Sequence, residues 1–247
     1  MLGLRPAGEL TVVIRDADTG EFVRVPETPG RLLAVSPSGD ELLYLDDHDG
    51  GLCVDELSTG RRRSLAVAVD GPAAMSPDGG WVATIGTDGI DLIDLAGGGR
   101  RRLATVSGSA TESAICWSPH GRFLAATYLT GDDEFATRVT DRCGTVVAEY
   151  DRTAILCGGN GSWAGDDELV CTGETGLHAV DVRGGGRRPL HHGHLVLAVL
   201  GGRLVERLPW ENDHPTRLVT ASCDGTDVRP LVTIHPGTQV ELFGCGT

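Results

Sequence analysis

The chain has 247 residues, a formal charge of −14, 36 glycines, and 21 basic residues that are all arginine. The acidity excludes a surface that tracks nucleic-acid phosphates, which needs a dense cationic face. No window approaches the roughly 18 apolar residues of a membrane span, and no basic start followed by an apolar run marks a signal peptide.

The seven cysteines are an odd number with no Cys-x-x-Cys pair. Neither a disulfide framework nor a zinc ribbon fits them, and reduced thiols of a soluble, cytoplasmic protein do. An arginine-only basic set reads as the mark of a GC-rich, bacterial genome.

Along the chain, turn-and-strand blocks recur. "IRDADTGEFVRV" near the start holds only the last strands of a unit. Three Ser-Pro-x-Gly blocks follow: "VSPSGDELLYL" from Val35, "MSPDGGWVATI" from Met75 and "WSPHGRFLAAT" from Trp117, with a degraded copy, "WAGDDELVCTG", from Trp163. Between them stand "VDELSTGRRRSL", "IDLAGGGRRRL", "VTDRCGTVV" and "VDVRGGGRRPL", and "TASCDGTDVRPL" comes near the end. Ser36, Ser76 and Ser118 are 40 and 42 residues apart, and Trp117 and Trp163 are 46 apart.

A period of this length holding about four short strands predicts propeller blades, with no 3.6-residue pattern of a helical solenoid. Proline presets φ in each turn and glycine accepts positive φ. The tail "TQVELFGCGT" reads as a lone inner strand that completes the first, partial unit. The expected fold is therefore all-β: a six-bladed propeller of four-stranded antiparallel blades, closed by pairing of the N- and C-terminal segments, with no open edges. Residues 1–247 form one domain, with blade boundaries near 28, 67, 106, 151, 191 and 237.

The Ser-Pro-Asp/Ser-Gly turns and their Asp-x-x-x-Gly partners, as in Ser76 to Gly79 with Asp94 to Gly98, resemble the WD40-like repeats of TolB-type six-bladed propellers. The resemblance implies the fold and covers nearly the whole chain. Scaffolds, peptidase domains and lyases share it, so it carries the role only weakly.

In such a propeller, the loops leading into the inner strands and those between second and third strands share one face, here the top. Six of the eight histidines are assigned there: His48, His191, His192, His194, His214 and His235, beside Asp132, Asp133, Glu134 and Glu211. The arginine runs Arg61–Arg63, Arg100–Arg102 and Arg187–Arg188 fall at the bottom, as solvated edge-strand charges or as a docking rim for an acidic partner. Trp117 and Trp163 are expected to pack between blades, and Cys116 and Cys157 to be buried, inert thiols. Trp210, in a long top loop, is a candidate anchor for a ligand.

Two functions follow as expectations. The first is a non-catalytic scaffold that binds a protein or peptide at the top face through Trp210, Glu211, Asp132, Asp133, Glu134 and His48, without cofactor. The second is a small-molecule lyase, cyclase or isomerase of secondary metabolism, with His194, His214 and His235 as acid, base or ligands of a divalent metal. The clustered carboxylates do not match a calcium loop, and "GNGSWAG" is not a Gly-x-Ser-x-Gly elbow.

Overall fold

The Ser-Pro-x-Gly blocks are hairpin clips. The computed structural model of the protein describes residues 2–5, 11–15, 22–24, 30–36, 38–46, 48, 50–69, 71–86, 88–106, 109–130, 134–156, 161–174, 176–192, 194–208, 216–234 and 239–242. In the second clip, Ser76 N–H donates to the Trp81 carbonyl at 2.8 Å, Gly79 N–H donates to the Ser76 carbonyl at 2.8 Å, and Ser76 Oγ accepts from Trp81 N–H at 2.9 Å. Ser36 Oγ likewise accepts from Glu41 N–H at 2.9 Å, and Ser118 Oγ accepts from Arg122 and Phe123 N–H, both at 3.1 Å. Gly39, Gly79 and Gly121 take φ of 77°, 68° and 63°, a region that favours a residue without Cβ.

The clip serines are buried, so their hydroxyls satisfy amides that water cannot reach. Ser118→Ala is expected to cost about 1–3 kcal/mol through stranded donors. The more accessible Ser222→Ala should cost less, because water can replace its hydroxyl. Urea-unfolding midpoints of the two variants check the difference.

The aspartate-led turns between third and fourth strands, at the same end of the blades, work by the same logic. Asp94 Oδ1 accepts from Ala96 N–H at 2.9 Å, Asp141 Oδ1 from Cys143 and Thr145 N–H at 2.8 Å each, and Asp181 Oδ1 from Arg183 N–H at 2.9 Å. The amides of Gly184 and Arg183 hold the Asp181 carboxyl below the usual carboxylate range.

These turns organise five sheets of four consecutive antiparallel strands. The first holds β4 (Gly30–Val35), β5 (Glu41–Asp46), β6 (Gly51–Glu56) and β7 (Arg61–Ala68); the second holds β8 (Ala73–Met75), β9 (Trp81–Gly86), β10 (Gly89–Asp94) and β11 (Arg100–Thr105). Next come β12 (Ser109–Trp117), β13 (Phe123–Leu129), β14 (Phe135–Asp141) and β15 (Val146–Asp151), then β16 (Thr153–Ile155), β17 (Glu168–Gly173), β18 (Gly176–Asp181) and β19 (Arg187–Pro189). The last is β20 (Leu195–Leu200), β21 (Arg203–Arg207), β22 (Thr216–Ala221) and β23 (Arg229–Ile234). The chain is thus an all-β propeller of four-stranded antiparallel blades.

The expected count of six depends on the chain ends. Only five sheets are built from consecutive strands. A further sheet mixes the termini in the order β24 (Gln239–Leu242), β1 (Leu2–Arg5), β2 (Thr11–Arg15), β3 (Phe22–Arg24). In it Leu2 lies opposite Leu242 and Arg5 opposite Gln239. The side chains that would seat this sheet against its neighbours lie outside the described residues.

The core sits between sheets. Leu43, Val54 and Leu65 meet Met75, Val82 and Ile93; Ile85, Ile90 and Leu92 meet Ile115, Trp117 and Leu124; Phe123, Val139 and Tyr150 meet Trp163, Leu169 and Val180. A smaller cluster joins Val170, Leu177 and Ala179 to Val199 and Leu204. The second strands are therefore buried on both faces, as in β13, buried from Phe123 to Tyr128, where the sequence "RFLAATYL" suggests simple alternation. Burial of both faces favours near-continuous apolar runs. Trp117 and Trp163 pack between blades as expected, with Trp163 stacked on Phe123 at 6.3 Å between centroids. Cys116 is buried and outside any disulfide, and Cys157 lies outside the described residues.

Arginines tie neighbouring blades at the bottom. Arg142 Nη1 pairs with Asp78 Oδ2 at 2.6 Å, and Arg101 Nη2 donates to the Arg142 carbonyl at 2.7 Å. Arg122 approaches Asp166 and Asp167 at 3.7 and 3.8 Å. The arginine runs open the outermost strands, where most of their side chains meet partners within the chain: Arg62 with Asp55, Arg100 and Arg102 with buried Asp91, Arg188 with Glu168. These pairs favour the structural reading of the runs over a docking rim.

Candidate functional site

The meander places the β15–β16 connection, the β13–β14 loop and the β17–β18 turn at one end of the blades. Three charges from these three segments meet there. Arg152, between Asp151 and Thr153, directs Nε to Glu134 Oε2 at 3.0 Å and Nη1 to Glu174 Oε1 at 2.8 Å. Its φ is +52°, a left-handed conformation that a non-glycine residue rarely adopts. Such strain persists where surroundings over-determine it and concentrates at functional positions.

All three side chains are largely exposed, so the pairs add little stability. Their effect is geometric: two carboxylates from adjacent blades fix one guanidinium across the seam. Both carboxylates also hold its charge more firmly than an isolated arginine's.

Two hollows flank Arg152. One, of about 320 Å³, is lined by Glu134, Phe135, Ala154, Thr172 and Glu174, and lies along the top face. The other, of about 260 Å³, runs down the seam between the β12–β15 and β16–β19 sheets, past Cys171, His178, Val180 and Arg187. Burial pushes the Cys171 thiol up to about 12, so it stays protonated and is no nucleophile at neutral pH.

Of the sequence-predicted residues, Glu134 stands in this constellation. His48 is exposed at the β5–β6 loop, where its N–H donates to Asp46 Oδ1 at 2.8 Å. His191 and His192 are exposed, and His192 Nδ1 is 2.8 Å from the His194 carbonyl, so the "HHGH" loop is bonded within itself. Trp210, Glu211, Asp132, Asp133, His214 and His235 lie outside the described residues. Among the described residues, no three His, Cys, Asp or Glu side chains come together to hold a metal. No helix among them is long and apolar enough to cross a membrane.

Arg152 and Glu174 are additions from the structure. "DRT" and "GETG" read as top loops, and only the unusual φ and the ion pairs, over 18 and 22 residues of separation, distinguish them.

No protein-family model and no curated protein matches the chain. Solved structures do match in fold. TolB from Acinetobacter baumannii aligns over 100% of this chain and 66% of its own, at 18% identity and a TM-score of 0.65. An oligogalacturonate lyase in complex with manganese aligns over 94% and 74%, at 15% identity and a TM-score of 0.60. A puromycin-hydrolyzing peptidase of Mycobacterium tuberculosis aligns over 94% and 51%, at 16% identity and a TM-score of 0.59. The chain thus spans about two thirds of the TolB chain and half of the peptidase, and what it shares with all three is the TolB-like β-propeller fold.

Proposed function

We propose that this protein is a binding propeller that engages a protein or peptide partner across its top face, in the cleft beside Arg152. The observation that carries the reading is the strained Arg152 held between Glu134 and Glu174, with an open hollow on the top side. Exposed, pre-oriented charges at a cleft fix register and select partners more than they add affinity. Similarity to TolB supports the propeller fold on which this face is built. In this reading residues 1–247 act as one cytoplasmic domain, and the sheet that mixes the chain ends is the sixth blade of the ring.

Trp210, Glu211, Asp132 and Asp133 extend the same face in this reading. The test is quantitative co-purification from native extract of the wild type against Arg152→Glu and Trp210→Ala variants. Partners that bind at this face should drop at least tenfold in one or both variants, and undiminished recovery of every partner from both would end the proposal.

A funnel enzyme is the second reading, favoured by the contact of His192 with His194 in the "HHGH" segment and by fold similarity to the lyase with manganese. His194, His214 and His235 would be its acid, base or metal-ligating residues.

A further inference from the structure

Two blades carry the same outer-strand pattern and treat it differently. In the second sheet Ile93 lies opposite Arg100, and in the fourth Val180 lies opposite Arg187, so the two arginines occupy the same place. Two residues before Ile93 is Asp91, whose buried carboxylate takes Arg100 Nε at 3.0 Å and Nη2 at 2.6 Å. Two residues before Val180 is His178. The built-in anion of one sheet is replaced by an imidazole in the other.

Arg187 is accordingly left without a carboxylate partner among the described residues. Its guanidinium lies over the Tyr150 ring of the neighbouring blade, 5.4 Å from the centroid, and borders the 260 Å³ seam hollow. Cys171 and Val180 give that hollow an apolar floor, since both belong to the core cluster shared with Tyr150. His178 stands opposite Cys171 in register, with Nδ1 2.9 Å from the Gly176 carbonyl. At the upper end Arg152 and Glu174 neutralise each other. Asp151 adds a further carboxylate at that upper end, and Arg187, farther down the seam, is the cation that no carboxylate pairs with among the described residues.

We propose that this hollow binds a small organic carboxylate, whose –COO⁻ takes at Arg187 the place that Asp91 holds at Arg100. A guanidinium offers a planar fork of donors that matches a carboxylate bidentately. The floor accepts a short hydrocarbon body, and the volume lies just below the usual range for ligand pockets. Phosphate offers similar oxygens, but it has no apolar part to cover Cys171 and Val180 and brings a second negative charge close to Glu174. The hollow shares Arg152, Thr172, Gly173 and Glu174 with the top-face cleft, but His178 and Arg187 line only the seam hollow, so Arg187→Ala tests it separately from partner binding.

Butyrate, inorganic phosphate and uncharged butanol, each titrated into the full chain and followed by NMR, test it. Butyrate should bind saturably, with a Kd on the order of millimolar for so small a ligand, and should shift the signals of Gly173, His178 and Arg187. Arg187→Ala should weaken this at least tenfold. His178→Asp, which restores the carboxylate of the sister sheet, should also block butyrate by pairing with Arg187, and it keeps the test decisive if the alanine variant folds poorly. Shifts that do not saturate, or that persist unchanged in a folded variant, would overturn the site. Tighter binding of phosphate than of butyrate would overturn the choice of a carboxylate.

Discussion

Trp117→Ala is expected to lose about 3–5 kcal/mol of stability, the largest cost of any single truncation proposed for this chain. The indole is completely buried between the second and third sheets, against Ala74, Ile85 and Leu92 on one side and Leu124 on the other. Its Nε1–H donates to the Ala74 carbonyl at 3.1 Å, and the Arg142 guanidinium lies 5.6 Å from its ring. Truncation opens a cavity at a seam whose two walls are rigid sheets, so little relaxation can refill it. Trp117→Phe keeps much of the volume and loses only the Nε1–H bond to a carbonyl that also lies in the β8–β9 ladder, so it should cost roughly half as much or less. Urea titration of both variants checks the order, and a loss below about 1 kcal/mol for Trp117→Ala would contradict the packing.

Glu206→Met is expected to go the other way, stabilising the protein by about 1–3 kcal/mol. Glu206 is 2% exposed, and among the described residues its Oε1 has no hydrogen-bond partner. The strand registers show how unusual it is. Leu204 pairs with Val199 as Leu124 pairs with Trp117, Val82 with Met75 and Leu42 with Val35, and the residue two further on is Glu206, Ala126, Thr84 and Tyr44 respectively. The other sheets place apolar or hydrogen-bonded groups there: Thr84 Oγ1 donates to the Pro72 carbonyl at 3.1 Å, and Tyr44 OH donates to Asp55 at 3.0 Å. A buried carboxylate oxygen without a partner is costly, and methionine fills similar space without that penalty. Thermal and urea midpoints above those of the wild type would bear this out; a destabilised Glu206→Met variant would mean that the carboxylate is satisfied in solution.

The local elements are legible in the chain alone. A serine that clips amides five residues on, a glycine at positive φ and an aspartate that accepts from its own turn all act within a few residues, so "SPDGGW" and "DLAGG" carry their conformations with them. Even the degraded fourth copy keeps the closure, with Ala164 N–H donating to the Glu168 carbonyl at 2.9 Å in place of the serine block. The repeat of those elements was enough for propeller architecture, because a blade with two apolar faces must have neighbours on both sides.

What those elements face depends on the packed blades. "GGGRR" occurs in two blades, yet Arg100 meets Asp91 while Arg187 meets a tyrosine ring and a hollow; the difference lies in a cross-strand position whose register the sequence does not print. Arg152 shows no local sign of its role, since its partners come from two other loops on adjacent blades. Glu206 looks like a surface charge in an ordinary strand, and only the folded structure shows it to be buried. Turn chemistry depends on short-range hydrogen bonds and is written in the chain, whereas charge pairing and burial across a seam depend on which blade stands beside which, a relation that exists only once the blades have packed.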